Sequence, residues 1–356
     1  MYKKFFMGIA AMAALTLVSC SSDDLNSVSD NSSKNEAISF DGYLGRSAVA
    51  VHGSRGSELT KDALQKLTDG FGVFGNYSST EGTGITPTYG KNWFDNEQVT
   101  YDKTKSKWTY DPLKYWLPKG HIDFLAYAPF NAGTVKDPYS LDFNVSSTIA
   151  DQIDLLWAHA DNQTKAKPVV TFHFNHALAK IGYTVKTNVV GTGTTITLNK
   201  ITLAGSEDGT SDAPFYTSGT IDLSKANDAS DLWTNQLGKQ KFTWFDGTKL
   251  LTSTSAFNNS NISGNPANSD ENYLFVIPQD FTGADKLYVV VEYTITYNTG
   301  VQETMTNKVS KQLSYEFKQG KAYMINLTVG LTPIEFNADV TGWDPITGTP
   351  IEIPLN

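Results

Sequence analysis

Three side chains of this 356-residue chain are rare enough and reactive enough to indicate chemistry: the single cysteine, Cys20, and the two arginines, Arg46 and Arg55. A lone cysteine cannot form an intrachain disulfide, so its thiol is available for modification. A protease that cuts only after arginine would find both of its sites within one short stretch. The clustering is also compatible with chance in a chain with so few arginines. We interpret the pattern as covalent processing near the N-terminus, by lipidation and by proteolysis.

The residues before Cys20 have the organisation of a secretion signal. Lys3 and Lys4 precede an apolar segment, residues 5–18, that is too short to anchor a chain stably across a bilayer. Small residues directly before a cysteine are typical of the site cut by the lipoprotein signal peptidase. Residues 1–20 are therefore predicted to be a lipoprotein signal peptide ending at Cys20, which would carry acyl chains such as palmitate. The alternative is an ordinary secretory signal with an incidental cysteine.

The segment after Cys20, residues 21–36, is polar and acidic and has almost nothing to bury, which predicts a flexible tether. Its first acidic residues, Asp23 and Asp24, are similar to the surface-export signal of lipoproteins from the Bacteroidetes. The whole chain has a net charge of −9, and loss of Lys3 and Lys4 with the signal would make it more negative. An acidic chain without basic clusters argues against nucleic acid as a partner.

No catalytic constellation stands out in the sequence. The five histidines lack the spacing of a zinc site, and His173 and His176 would lie on opposite faces of a strand. We find no Gly-x-Ser-x-Gly elbow, phosphate loop, dinucleotide fingerprint or EF-hand loop. Pairs of carboxylates for glycoside hydrolysis need not be close in sequence, and nothing singles one pair out. The sequence therefore predicts a protein that is not an enzyme and has no metal or cofactor.

Tryptophans give the one candidate for ligand recognition. Trp116, Trp157 and Trp244 lie in apolar runs and are predicted to be core residues. Trp93 lies among polar residues and could face a sugar or a partner protein. Packing of its loop back onto the domain is the more common outcome for such an aromatic.

The remainder of the chain has a β pattern. Short runs rich in Thr, Val, Ile, Tyr and Phe alternate with turns rich in Gly, Asn, Asp and Pro, which predicts antiparallel β-sandwiches. One helix is predicted at residues 57–69, and residues 175–180 are undecided between helix and strand. The polar segment 161–168 is the predicted boundary between a domain of residues 37–165 and a domain of residues 166–356.

Many segments, in order along the chain, resemble the fimbrillin family of the Bacteroidetes. They are residues 17–20 (LVSC), 38–40 (ISF), 55–56 (RG), 71–74 (FGVF), 115–118 (YWLP), 122–129 (IDFLAYAP), 154–158 (DLLWA), 172–181 (FHFNHALAKI), 273–279 (YLFVIPQ), 321–330 (KAYMINLTVG) and 340–343 (VTGW).

The resemblance implies an all-β fold of two transthyretin-like β-sandwich domains in tandem. It also implies that an arginine-specific protease releases the lipid together with a first strand containing Ile38, Ser39 and Phe40. A strand of a neighbouring subunit then fills the groove. Arg55 is the preferred cleavage site and Arg46 the alternative. Residues 347–356 could donate that strand, or could be the last strand of the second domain.

The resulting prediction is a structural subunit of a surface fimbria that supports cell adhesion. Its partners would be other fimbrial subunits, the lipoprotein signal peptidase, an arginine-specific protease and a ligand on a host or bacterial surface. The precursor would be held at the outer membrane by lipid, and the mature protein would lie in the fimbria. The alternative is a monomeric outer-membrane lipoprotein that binds glycan.

Overall fold

A computed structural model describes residues 37–44, 61–191, 193–226, 229–258, 273–298, 300–331 and 335–342. Cys20, Arg46, Arg55, the predicted tether and the segment 347–356 lie outside these residues. Residues 35–356 form one compact unit. The fold is all-β, as predicted: its described elements are twenty-two strands, the four-residue helix α1 (Lys61–Leu64) and a 3₁₀ turn at Ile149–Asp151.

Seven strands form the first sheet. In spatial order they are β1 (Ser39–Leu44), β9 (Val169–His176), β8 (Leu156–Gln163), β5 (His121–Ala128), β2 (Phe71–Ser78), β3 (Phe94–Asp102) and β4 (Lys107–Thr109). The pair β1 and β9 is parallel, and the other neighbours are antiparallel. The ring centroids of Phe40, on β1, and Tyr110, directly after β4, lie 5.3 Å apart. The sheet therefore curls until its two ends meet over one core.

The central strands of this sheet are covered on both faces. All eight residues of β5 are buried, so its sequence is continuously apolar rather than alternating. Ile122 and Phe124 face the core that contains Phe40, whereas Leu125 and Tyr127 belong to a second, larger core. Because successive side chains on a strand point to opposite faces, one strand contributes to both cores.

The rest of the chain forms three further sheets and one short strand pair. The second sheet has the order β15 (Phe257–Asn258), β10 (Ala179–Thr187), β21 (Lys321–Val329) and β22 (Glu335–Gly342), with β16 (Leu274–Val276) also paired to β10. The third has the order β14 (Phe242–Leu250), β11 (Thr194–Ala204), β18 (Leu287–Tyr297) and β19 (Glu303–Leu313). The fourth has the order β13 (Trp233–Leu237), β12 (Ser218–Asp222), β7 (Ser140–Asn144) and β6 (Thr134–Asp137), and β17 (Gln279–Asp280) pairs with β20 (Glu316–Phe317).

The fourth sheet joins segments that are distant in sequence. Strand β7 pairs with β12, and Phe143 of β7 packs its ring 6.1 Å from that of Trp233 on β13. Trp233 also donates from Nε1 to the carbonyl oxygen of Ala177, at 2.9 Å. Chain segments from before and after the predicted boundary therefore share one sheet and one core.

Strand pairing also bears on where the chain leaves the first sheet. The predicted boundary between residues 165 and 166 precedes β9, yet β9 pairs with β1 and β8. The change of sheet comes at the buried residues Ala177 and Leu178, between β9 and β10. The undecided segment 175–180 is thus the end of one strand and the start of the next. The division into two domains, and their transthyretin-like type, stay predictions.

Other local predictions fare unevenly. Trp116, Trp157 and Trp244 are buried, as predicted. The hairpin predicted at residues 99–110 is confirmed as β3 and β4. The predicted helix at residues 57–69 was too long at its C-terminal end, because α1 ends at Leu64. Ala63 and Leu64 bury their side chains in the first core, which leaves no apolar stripe to extend the helix.

Candidate functional site

The first strand occupies the end of the first sheet and bonds to it along one side. Its parallel ladder with β9 runs from the pair Ser39 and Val169 to the pair Leu44 and Phe174. Parallel neighbours cannot be joined by a tight hairpin, so β1 is not tied to β9 by a short turn. The predicted released residues Ile38, Ser39 and Phe40 all belong to this N-terminal segment. A strand placed this way could be exchanged for another without disturbing a hairpin.

Phe40 is the central contact between β1 and the first core. Its side chain is 5% exposed. Its ring lies 5.3 to 6.4 Å, between centroids, from five other aromatic rings: Phe71, Phe94, Tyr110, Phe124 and Phe172. Aromatic rings contribute large buried areas and favour such edge-to-face contacts. Removal of β1 would therefore open an aromatic pocket in the middle of the core.

The start of β1 is held by a small set of backbone contacts. Ile38 is 1% exposed, and its N–H donates to the carbonyl oxygen of Lys114 at 2.9 Å. The Tyr110 hydroxyl donates to the carbonyl oxygen of Ile38 at 2.8 Å. Ser39 N–H donates more weakly to the carbonyl oxygen of Pro168, at 3.4 Å. These contacts hold the first residues of β1 on the side away from β9.

Gly42 provides a third inward position with a different size requirement. A Cβ added at Gly42 would lie 3.3 Å from Leu64 Cδ2 and 3.6 Å from Phe174 Cε2. The first of these distances is tighter than an ordinary van der Waals contact, so Leu64 would have to shift. The groove therefore accepts an aliphatic residue, an aromatic residue and a small residue at alternate positions, which is the selectivity that strand addition uses.

Trp93 is not an open platform. Its side chain is partly buried and packs against the first core, with its ring centroid 6.0 Å from that of Tyr77. Its indole N–H is buried and has no hydrogen-bond partner within the described part of the chain. This placement favours a packing role, and recognition of a ligand by Trp93 stays a prediction.

Three histidine–aspartate pairs are the feature that sequence reasoning missed. His121 lies 3.4 Å from Asp123, His176 lies 3.0 Å from Asp154, and His159 lies 3.7 Å from Asp161. Two of the pairs have i, i+2 spacing on a strand, which was the available signal. The third joins two strands and could not be read from spacing. Among the described residues, no group of three or more His, Cys, Asp or Glu could hold a metal ion.

The pair His159 and Asp161 links distant parts of the chain. Tyr89 donates its hydroxyl proton to Asp161 at 2.8 Å, and His159 Nε2 lies 3.1 Å from the carbonyl oxygen of Lys225. The interaction with Asp161 raises the pKa of His159. Burial pushes the pKa of Asp161 upward, but hydrogen bonds from His159 and Tyr89 outweigh it, so that pKa lies below its ordinary value. The pair is therefore an ion pair in mildly acidic solution.

The fold and the groove define a class: an all-β protein whose first core is completed by an N-terminal edge strand. The fimbrillin-like family profile matches residues 60–343, most of the chain. This chain belongs to the fimbrillin-like family. A comparison with functionally curated proteins gives no match. No helix of the described residues is long and apolar enough to cross a membrane.

Solved structures agree with this assignment at the level of fold. A fimbrial protein of Bacteroides vulgatus is 21% identical, with a TM-score of 0.64 over 87% of this chain and 100% of that one. A proposed cell adhesion protein of Bacteroides ovatus is 16% identical, with a TM-score of 0.47 over 87% of this chain and 98% of that one. One of Bacteroides uniformis is also 16% identical, with a TM-score of 0.46 over 86% and 97%. Only the first similarity is strong enough to support the fold.

Proposed function

We propose that this chain is a structural subunit of a surface fimbria, exported as a lipoprotein and polymerised by strand exchange to support cell adhesion. One observation carries the proposal. Strand β1 fills the first core with Ile38 and Phe40, is laddered to the sheet on one side, and is followed directly by the stretch that contains Arg46 and Arg55. Membership of the fimbrillin-like family supports it.

Cleavage after either arginine would detach Cys20, with its lipid, and the whole of β1 from the rest of the chain. Departure of β1 would leave the outer edge of β9 without partners and would open the Phe40 pocket to water. Both consequences are costly, because edge N–H and C=O groups and apolar surface would be exposed. A strand from a neighbouring subunit would restore the ladder and fill the pocket.

Such a contact is head-to-tail, so it need not close on itself and produces an open chain of subunits. Other fimbrial subunits would be the main partners. The lipoprotein signal peptidase and an arginine-specific protease would act on the precursor. The precursor would be held on the outer membrane by lipid, and the mature subunit would lie at the cell surface, where the fimbria meets a host or bacterial ligand. Residues 347–356 remain a candidate donor segment.

The test begins with the protein released from its native cell surface. Its intact mass and N-terminal sequence should show no lipid and a start at Ser47 or Gly56, which also identifies the cleaved arginine. A product that keeps a lipidated Cys20 and residues 38–40 would contradict the proposal and favour the tethered glycan-binding lipoprotein.

A second test uses the purified full chain and an arginine-specific protease. Treatment should convert monomer into a detergent-resistant ladder. The variants Arg46→Ala and Arg55→Ala should show which cut is needed, and the double variant should stay monomeric. Lys103→Ala, on the exposed turn between β3 and β4, is the matched control for loss of a positive charge and should form the ladder normally. A ladder from the double variant would refute the role of cleavage.

A further inference from the structure

A cavity of about 310 Å³ lies at the end of the first sheet where β2 and β8 finish and β5 begins. Three segments surround it: residues 80–85, residues 117–121 and residues 162–166. None of its lining residues belongs to β1. The cavity is therefore separate from the groove of the proposed strand exchange.

Buried charged groups fix the three segments around this cavity. The carboxylate of Asp123, which is 1% exposed, accepts the N–H of Thr88 at 2.9 Å and the N–H of Asn162 at 2.8 Å. His121, which lines the cavity and is 4% exposed, places Nδ1 2.8 Å from the carbonyl oxygen of Thr80 and Nε2 3.4 Å from Asp123. Both ring nitrogens thus face acceptors. A site held in this way loses little conformational freedom when a ligand binds.

Asn162 brings an unused acceptor to the cavity. Its Nδ2 donates to the carbonyl oxygen of Ile85 at 3.0 Å, which fixes the orientation of the amide, since the flipped amide would place two oxygens together. Its Oδ1 is buried and has no hydrogen-bond partner within the described residues. A buried carbonyl oxygen without a partner is unfavourable, and a ligand hydroxyl would satisfy it.

Two lysines give the cavity a positive charge that is unusual on this acidic chain. Lys119 and Lys165 line it, and no carboxylate of the described part of the chain lies within ion-pair distance of either ammonium group. Glu81 also lines the cavity, but its Oε1 accepts the N–H of Gly120 at 3.3 Å. The free groups are therefore two cations and one buried acceptor.

We propose that this cavity binds a carboxylate-bearing sugar. Lys119 and Lys165 would pair with the carboxylate, and Asn162 Oδ1 would accept a hydrogen bond from a ring hydroxyl. The volume is at the lower end of the range for small-molecule sites, which suits a single sugar residue at the end of a chain. The inference does not depend on polymerisation, because the site is complete in the monomer.

The test measures ligand binding by NMR on the full chain, purified in detergent and not treated with protease. D-Glucuronic acid and N-acetylneuraminic acid are the probes, and D-glucose and acetate are the comparison ligands. We expect saturable binding of at least one acidic sugar, with D-glucose and acetate at least about tenfold weaker. Binding of glucose equal to that of both acids, or of acetate equal to that of both sugars, would overturn the proposal.

Variants assign the binding to this cavity. Lys119→Ala with Lys165→Ala should weaken the acidic sugar at least about tenfold. The matched control, Lys103→Ala with Lys107→Ala on the β3–β4 hairpin, removes two exposed lysines elsewhere and should change affinity less than about twofold. Asn162→Gly deletes the acceptor at a position with φ of 53°, which glycine tolerates, and should also weaken binding. No saturable binding, or equal losses in the double variant and its control, would refute the site.

Discussion

The hydroxyl of Tyr110 donates a hydrogen bond of 2.8 Å to the carbonyl oxygen of Ile38. Tyr110 follows β4, at the far end of the order of the first sheet from β1. Burial raises the pKa of this phenol to about 12, so it remains a donor at physiological pH. The bond therefore holds the start of β1 to the opposite end of the curled sheet, on the side where β1 has no ladder.

Tyr110→Phe should loosen β1 without opening a cavity. The variant removes a hydroxyl but keeps the ring beside Phe40, and it leaves the carbonyl of Ile38 without that donor. We expect a loss of about 1–3 kcal/mol in the free energy of unfolding, measured with urea. Release of β1 after arginine-specific cleavage should be faster in the variant.

Tyr115→Phe is the matched control, because Tyr115 is exposed and lies in the same segment. It should change the unfolding free energy by less than about 0.5 kcal/mol. Equal effects of the two variants would mean that the bond to Ile38 contributes nothing specific.

A synthetic peptide of residues 37–44 should compete for the groove. After cleavage of the full chain, excess peptide should block ladder formation on denaturing gels, since it restores the ladder with β9 and refills the Phe40 pocket. The same peptide carrying Phe40→Ala should fail to compete, because removal of a buried Phe typically costs about 3–5 kcal/mol. Inhibition by both peptides to the same extent would exclude the aromatic pocket as the determinant.

The two halves of the described structure should unfold together. Leu125 and Trp157, on the first sheet, belong to the same core as Phe143 and Trp233, so unfolding of one half would expose the other. Scanning calorimetry should show one transition. Trp157→Ala should lower its midpoint strongly, with a cost of about 3–5 kcal/mol. Two resolved transitions in the unmodified chain would mean that the halves are independent domains.

The contact of His159 should make stability depend on pH. Because the pKa of His159 is raised in the folded state, its contribution is full below the ordinary value of about 6.5 and is lost as pH rises through the raised value. The lowered pKa of Asp161 makes its contribution full above about 3.9, and that contribution is lost as pH falls through the lowered value. Unfolding free energy should therefore decline between about pH 6 and 8.

His159→Gln should flatten this decline, as measured by urea unfolding at each pH. His173→Gln, on the exposed face of β9, is the control and should keep the slope of the unmodified protein. An unchanged slope in His159→Gln would refute the assignment to this histidine.

The strands could be predicted well because their signals are local. Runs such as residues 71–77, 122–128 and 287–297 are rich in β-branched and aromatic residues and end at turn residues, and each became a strand. Pairing is not local. The continuous apolar run of β5 indicated burial, but only the tertiary structure assigned its two faces to two cores.

The candidate groove was foreseen only in outline. Ile38 and Phe40 were predicted to belong to a released strand on the basis of a family resemblance, and the structure gives them their aromatic surroundings and the parallel ladder with β9. Trp93 was the residue least well judged. Its polar neighbours in sequence suggested exposure, whereas the side chains that pack around it come from elsewhere in the chain.

The sequence by itself determined the all-β character, the strand segments, the absence of a recognisable catalytic motif and the position of the only arginines. These properties depend on composition and on spacing along the chain. The tertiary structure decided which edge β1 occupies, how the two cores share the first sheet, and that Asn162, Lys119 and Lys165 surround one cavity. Such arrangements depend on contacts between residues far apart in sequence, and no local pattern specifies them.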